Sequence, residues 1–193
     1  GWIKREVMAA AVDEAKKYNL EVAIDLENSK ELTALDAAEL GVNWIEHASG
    51  FAQEMYKGWN LFVGQEEWSH IDWENPDQEK IKELCEKMLA YNVKLCPTMV
   101  IFDQSIKYPE FWSPKNIVIE TASQINYIME YWKQHTEIID LIKSNNAKTH
   151  NLTKAIAKIY YDMGGIVVAG TDTPGLLYTC LLYTSPSPRD VEE

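Results

Sequence analysis

The sequence predicts an α/β fold built on a parallel sheet. Three observations carry that expectation. Stretches with helix and strand periods alternate along the chain, and such alternation implies neighbouring parallel strands with helices packed outside. The run Ile166-Val167-Val168-Ala169 is continuously apolar rather than alternating, as a buried parallel strand would be. Three strand-like stretches end in or run into a polar residue, Asp25, His47 and Asp172, and α/β folds gather their chemistry at strand C-terminal ends.

Taken in order, residues 4–18 form an amphipathic helix with the apolar stripe Val7, Ala11, Ala15 and Tyr18, stopped by Asn19. Residues 21–25 follow as a short strand ending in Asp25. Ser29 caps a second helix over residues 30–40, closed by Gly41. Residues 42–47 form a second strand ending in His47. Residues 50–75 are a long loop region carrying Trp59, Trp68 and Trp73, and a connection of that length is functional or an insertion. Asn75, Pro76 and Gln78 then mark a helix start in the cap, first-turn and capping-box positions. The buried stripe of that helix is Ile81, Leu84, Cys85, Met88 and Leu89.

Residues 93–98 form the third strand, and a second long loop over residues 103–120 carries Trp112. A helical region spans residues 121–144, and the last helix, 150–163, buries Leu152, Ile156, Ile159 and Met163. Gly164-Gly165 stops it, and residues 166–171 form the fourth strand. Four strands are too few for a closed eight-stranded barrel, so the count fits an open half of one. After Pro174 the character changes: Leu176-Leu177-Tyr178-Thr179 is echoed by Leu181-Leu182-Tyr183-Thr184, followed by Ser-Pro repeats. The expected organisation is a half barrel over residues 1–175 and a non-native or disordered tail over 176–193, which resembles translated sequencing-adapter sequence.

The net charge of -12 argues against nucleic-acid partners and anionic membranes. The three cysteines, Cys85, Cys96 and Cys180, show no CxxC spacing and no even framework, so neither a zinc knuckle nor a disulfide scaffold is indicated. No apolar run is long enough to span a membrane and no signal-peptide h-region opens the chain, so a cytoplasmic location is expected. The abrupt start in a helix pattern is what a piece of a longer protein would show.

Imidazole and carboxylate at strand ends suit a hard or borderline metal ion, and a bound water made acidic enough to attack at neutral pH. Leu35-Asp36-Ala37-Ala38-Glu39-Leu40-Gly41-Val42-Asn43-Trp44-Ile45-Glu46-His47 resembles the helix-then-strand segment of the amidohydrolase superfamily, whose pattern is roughly "A…aGvd.IEH". Lys94-Leu95-Cys96-Pro97-Thr98 is similar to that superfamily's next strand, and Ile166 to Pro174 to its last, "v.aGTD.p". The resemblance covers residues 5–175 and is nearest to the imidazolonepropionase-like and prolidase-like members. It implies a distorted (β/α)8 barrel of which this chain supplies strands five to eight. It also implies a divalent metal, with zinc the expected ion, a small-molecule substrate, and hydrolysis of non-peptide or cyclic amide bonds. By the same resemblance His47 is a metal ligand, and Asp172 contacts metal and passes the water's proton to the leaving nitrogen.

The departures bear on function. The family's strand-five histidine is replaced by Asp25, a harder ligand. The upstream ligands of the family pattern are absent from this sequence. Such a chain is expected to bind metal weakly and to be inactive alone, and its open edges call for the missing barrel half or a second copy. Trp59, Trp68, Thr98 and His70 are the candidate substrate contacts, with loop anchoring the alternative for the tryptophans. Two other readings stay open. One is a glycosidase-type barrel with Glu46 and Asp172 as acid and base. The other is a non-catalytic α/β binding or assembly module.

Overall fold

The computed structural model describes residues 3–59, 68–106, 130 and 139–172. Two compact units divide the chain: Gly1–Pro97 with Asn151–Ala169, and Thr98–His150 with Gly170–Glu193. The described elements run α1 (Arg5–Lys17), β1 (Ala23–Ile24), α2 (Ala34–Leu40), β2 (Trp44–Glu46), α3 (Phe51–Met55), α4 (Gln78–Ala90), β3 (Lys94–Cys96), α5 (Met99–Ile106) and α6 (Ile139–Asp162). The predicted loop around Trp112, much of the predicted helix over 121–144, and the expected boundary near residue 175 lie outside the described residues.

The fold is α/β, with an open three-stranded parallel sheet in the order β1-β2-β3. Ala23 pairs with Trp44, Ile24 with Ile45, Ile45 with Leu95 and Glu46 with Cys96. The predicted fourth strand is reduced to one parallel bridge, Leu95 to Val167, on the far side of β3. Two hydrogen bonds make it: Leu95 N–H donates to the Ile166 carbonyl and Val168 N–H to the Leu95 carbonyl, both at 2.9 Å. Consecutive strands thus lie side by side in chain order, each pair joined by a crossover that contains a helix.

The two faces of the sheet differ. Ile24, Ile45 and Leu95 are buried and join one core with Met8 and Val12 of α1, Ala34, Ala37 and Ala38 of α2, Ile81, Leu84, Cys85 and Met88 of α4, and Leu152, Ile156 and Tyr160 of α6. The alternate residues project the other way: Ala23 is exposed, and Trp44, Glu46, Lys94 and Cys96 are half-buried. On that second face the Lys94 ammonium bonds Glu21 and lies 4.8 Å over the Trp44 ring, whose Nε1–H donates to Glu21 at 2.5 Å. The Lys94 bond, more than the others, holds the Glu21 carboxyl below its ordinary range.

Several local expectations are corrected. In α1 the buried residues are Met8 and Val12, while Val7 and Tyr18 are 52% and 69% exposed. Adjacent helix positions are about 100° apart, so a stripe chosen one residue early faces another direction. Helix α2 starts later than predicted, on the Thr33–Asp36 capping box, because Ser29 turns inward: its hydroxyl accepts from Leu32 N–H at 3.0 Å and donates to Leu32 C=O at 2.8 Å. The cap of α4 is Asp77, whose carboxylate accepts from Lys80 N–H at 3.1 Å; Asn75 instead donates its N–H to Asp72. A short helix, α3, occupies the start of the region predicted as loop, and α6 is one continuous helix where two segments were expected. Tyr160, absent from the predicted core, is fully buried there and donates its hydroxyl to the Val93 carbonyl at 2.5 Å.

Candidate functional site

The candidate residues follow their strands directly. Asp25 comes after Ile24, and one of its carboxylate oxygens accepts from Glu27 N–H at 2.7 Å, closing an Asx turn. His47 comes after Glu46, and its backbone N–H donates to the Cys96 carbonyl at 2.8 Å, which ties it to β3. Because Ile24 pairs with Ile45, Asp25 is level with Glu46, one step before His47. Both are half-buried.

His47 and Ala48 have φ of 60° and 49°, and Ser49 N–H donates back to the Glu46 carbonyl at 2.9 Å. Two successive left-handed residues closed by such a bond are the signature of a type I′ turn, normally built from Asn and Gly. A non-glycine residue in this region costs about 1–2 kcal/mol, and histidine tolerates it better than alanine.

The turn is held by a buried polar group. Ser49 Oγ accepts from Leu26 N–H at 2.7 Å and donates to the Glu46 carbonyl at 2.7 Å. Gln53 Nε2 donates to the Leu26 carbonyl at 2.9 Å, and Ala34 N–H donates to the Gly50 carbonyl at 3.0 Å. Gly50 itself has φ of 81°, and a Cβ there would meet Leu26 Cδ1 at 2.6 Å and Ala34 N at 2.7 Å. The loop after β1 and the loop after β2 are therefore one hydrogen-bonded piece. Sequence reasoning missed Ser49 and Gln53. Both are common polar residues, and only their burial, 8% and 7% exposed, distinguishes them.

Thr98 follows β3 with φ of 44° and is buried. Asp172 lies five residues beyond Val167, is exposed, and has φ of 50°. Trp59 is half-buried against the core, with Trp73 beside it at 5.7 Å and Tyr56 at 5.9 Å from Trp73. This cluster anchors the segment after α3. Burial raises the Tyr56 phenol above its ordinary range. Trp68 lies 6.1 Å from the exposed His70 ring, and its indole N–H is buried with no hydrogen-bond partner.

A structural zinc ion wants four donors and a catalytic one three plus water. Among the described residues no group of three or more His, Cys, Asp or Glu side chains gathers to hold a metal. The imidazole and carboxylates match a borderline ion in kind but fall short of it in number. No described helix is long and apolar enough to cross a membrane.

The chain matches no protein-family model. No curated protein is similar to it at a significant level. Among solved structures it is similar to the crystal structure of an uncharacterized protein, with a TM-score of 0.45 and 19% identity. That likeness covers 91% of this chain but only 29% of the other, so the chain spans less than a third of the length of the protein it matches. A likeness at that level carries no functional argument.

Proposed function

We propose that the chain is part of a metal-dependent hydrolase of carbon–nitrogen bonds, acting on non-peptide or cyclic amides. In this reading the sheet is a portion of a (β/α)8 barrel. One observation carries it: His47, the residue type such a site needs, sits in a strained left-handed turn directly after β2 and is tied to β3.

The roles follow from chemistry. His47 supplies an imidazole donor and Asp25 a carboxylate donor. Asp172 accepts the proton of the attacking water and hands it to the leaving nitrogen. Thr98, Trp59, Trp68 and His70 are the proposed substrate contacts. The bound ion, zinc in this reading, would supply Lewis acidity. The described donors alone are too few for it; in this reading the chain by itself holds zinc weakly and turns over no amide. The remaining ligands would come from a further barrel portion.

The test is a zinc titration of the full chain against His47→Ala, beside an assay for lactam hydrolysis. Weak binding that disappears in H47A, with no turnover, is the expected result. Equal zinc affinity in both proteins sinks the metal reading, and lactam hydrolysis by the chain alone sinks the claim that it is incomplete. The second reading, a non-catalytic binding or assembly module, draws on the absence of a three-donor group among the described residues. It gains if neither H47A nor Asp172→Asn changes zinc or ligand binding.

A further inference from the structure

The hydroxyl of Ser49 stands between the two loops that carry Asp25 and His47. It takes the N–H of Leu26, the residue after Asp25, and gives its own proton to the carbonyl of Glu46, the residue before His47, each at 2.7 Å. The other half of the Leu26 peptide is also engaged, its carbonyl accepting from Gln53 Nε2 at 2.9 Å. Leu26, Ser49 and Gln53 are all buried, so water does not compete for these bonds. One serine side chain therefore fixes the exit of β1 and the exit of β2 relative to each other.

We propose that Ser49, backed by Gln53, is a positioning residue that sets the His47–Ala48 turn in its left-handed form and holds Asp25 and His47 as one preformed pair. Without the Oγ bond to the Glu46 carbonyl, that carbonyl keeps the Ser49 N–H bond at 2.9 Å, and less holds the turn against the cost of two left-handed non-glycine residues. Without the bond to Leu26 N–H, a buried donor is left unpaired and the β1 exit loses its direct link to Ser49. The functional weight of the pair rests on the hydrolase reading; the positioning does not.

The experiment uses the full chain without metal and reads the backbone of His47 by NMR, through the φ-dependent couplings at its Hα. Ser49→Ala should convert His47 from a single left-handed conformer to an average including negative φ. Ser49→Thr, which keeps the hydroxyl, should retain the wild-type couplings. Gln53→Met removes the carboxamide, and with it the bond to the Leu26 carbonyl, while leaving Ser49 in place. It should shift the couplings in the same direction by less, and it carries the test if S49A does not fold. Unchanged His47 couplings in S49A, or in Q53M where S49A does not fold, overturn the proposal. Zinc titration of the same proteins gives the second readout. Where wild-type affinity depends on His47, S49A should lose about tenfold, as supporting residues around a ligand commonly do, and S49T should recover it. An S49A protein that melts earlier yet keeps its zinc affinity would overturn the role toward Asp25 and His47. Zinc affinity indifferent to H47A would instead count against the hydrolase reading and leave the coupling result to decide the positioning.

Discussion

The segments that enter the strands and the segments that leave them handle left-handed backbone differently. On the entering side the left-handed residues are Asn19, Gly41, Asn92 and Gly164, the residue types that adopt this conformation at least cost. Each ends a helix with the same pair of bonds. The longer bond of each pair runs from Leu20 to Ala15, Val42 to Ala37, Val93 to Met88 and Gly165 to Tyr160, the reach of a Schellman stop. On the leaving side the left-handed non-glycine residues are His47, Ala48, Thr98 and Asp172. Alanine and β-branched threonine adopt this region at real cost. The entering side is built wholly from residues suited to their backbone, whereas the leaving side mixes tolerant His47 and Asp172 with Ala48 and Thr98, which are not. The two sides therefore differ in how much backbone cost they carry: low at the helix stops, higher at Ala48 and Thr98.

The largest expected effect tests the leaving side. Gly50→Ala would force a Cβ to 2.6 Å from Leu26 Cδ1 and 2.7 Å from the Ala34 nitrogen at a φ of 81°. It should cost about 3 kcal/mol, read from the urea midpoint. A loss under about 1 kcal/mol would mean the two exit loops are not locked together.

Ser49→Ala should destabilise by about 1–3 kcal/mol, because it strands the buried Leu26 N–H. A neutral result would remove the physical basis for the preformed pair.

A matched exchange sharpens the comparison. Gly41→Ala, at φ of 98°, should cost about 1 kcal/mol, and Ala48→Gly, at φ of 49°, should gain up to about 1 kcal/mol. If A48G also destabilises, the turn is not strained and the contrast between the two sides fails.

The smallest effect concerns Tyr160, which anchors the entry to β3. Burial pushes its phenol from 10.0 up to about 12, and the Cys85 thiol from 9.0 up to about 12. Both are held neutral in the fold, so their contribution is complete below the unfolded values and is lost as pH rises through the folded ones. Alkaline unfolding should therefore run across pH 9.0 to about 12. Tyr160→Phe should make that limb shallower while costing about 1 kcal/mol at neutral pH for the lost bond to the Val93 carbonyl. An unchanged alkaline limb would mean Tyr160 titrates normally.

The sequence by itself determined the alternation of helices and strands, the parallel order of the strands, the α4 stripe, and the stops at Asn19, Gly41 and Gly164. These are local facts: periodicity and cap chemistry act over a few residues, so a linear reading reaches them. It also put Asp25 and His47 directly after their strands, while Asp172 follows only the bridge at Val167. Only the tertiary structure decided which face of α1 is buried, since its apolar arc is wider than the surface that covers it and Met8 and Val12 win over Val7 and Tyr18. The Ser29 clamp on Leu32 is local, only three residues apart, yet the sequence predicts a helix cap there; only the tertiary structure reduced the fourth strand to a bridge at Val167. It alone brought Ser49 to Leu26, 23 positions away in sequence, and Gln53 to the same residue across 27. Bonds across such separations depend on strand pairing bringing two loops together, and no local pattern of residues encodes that.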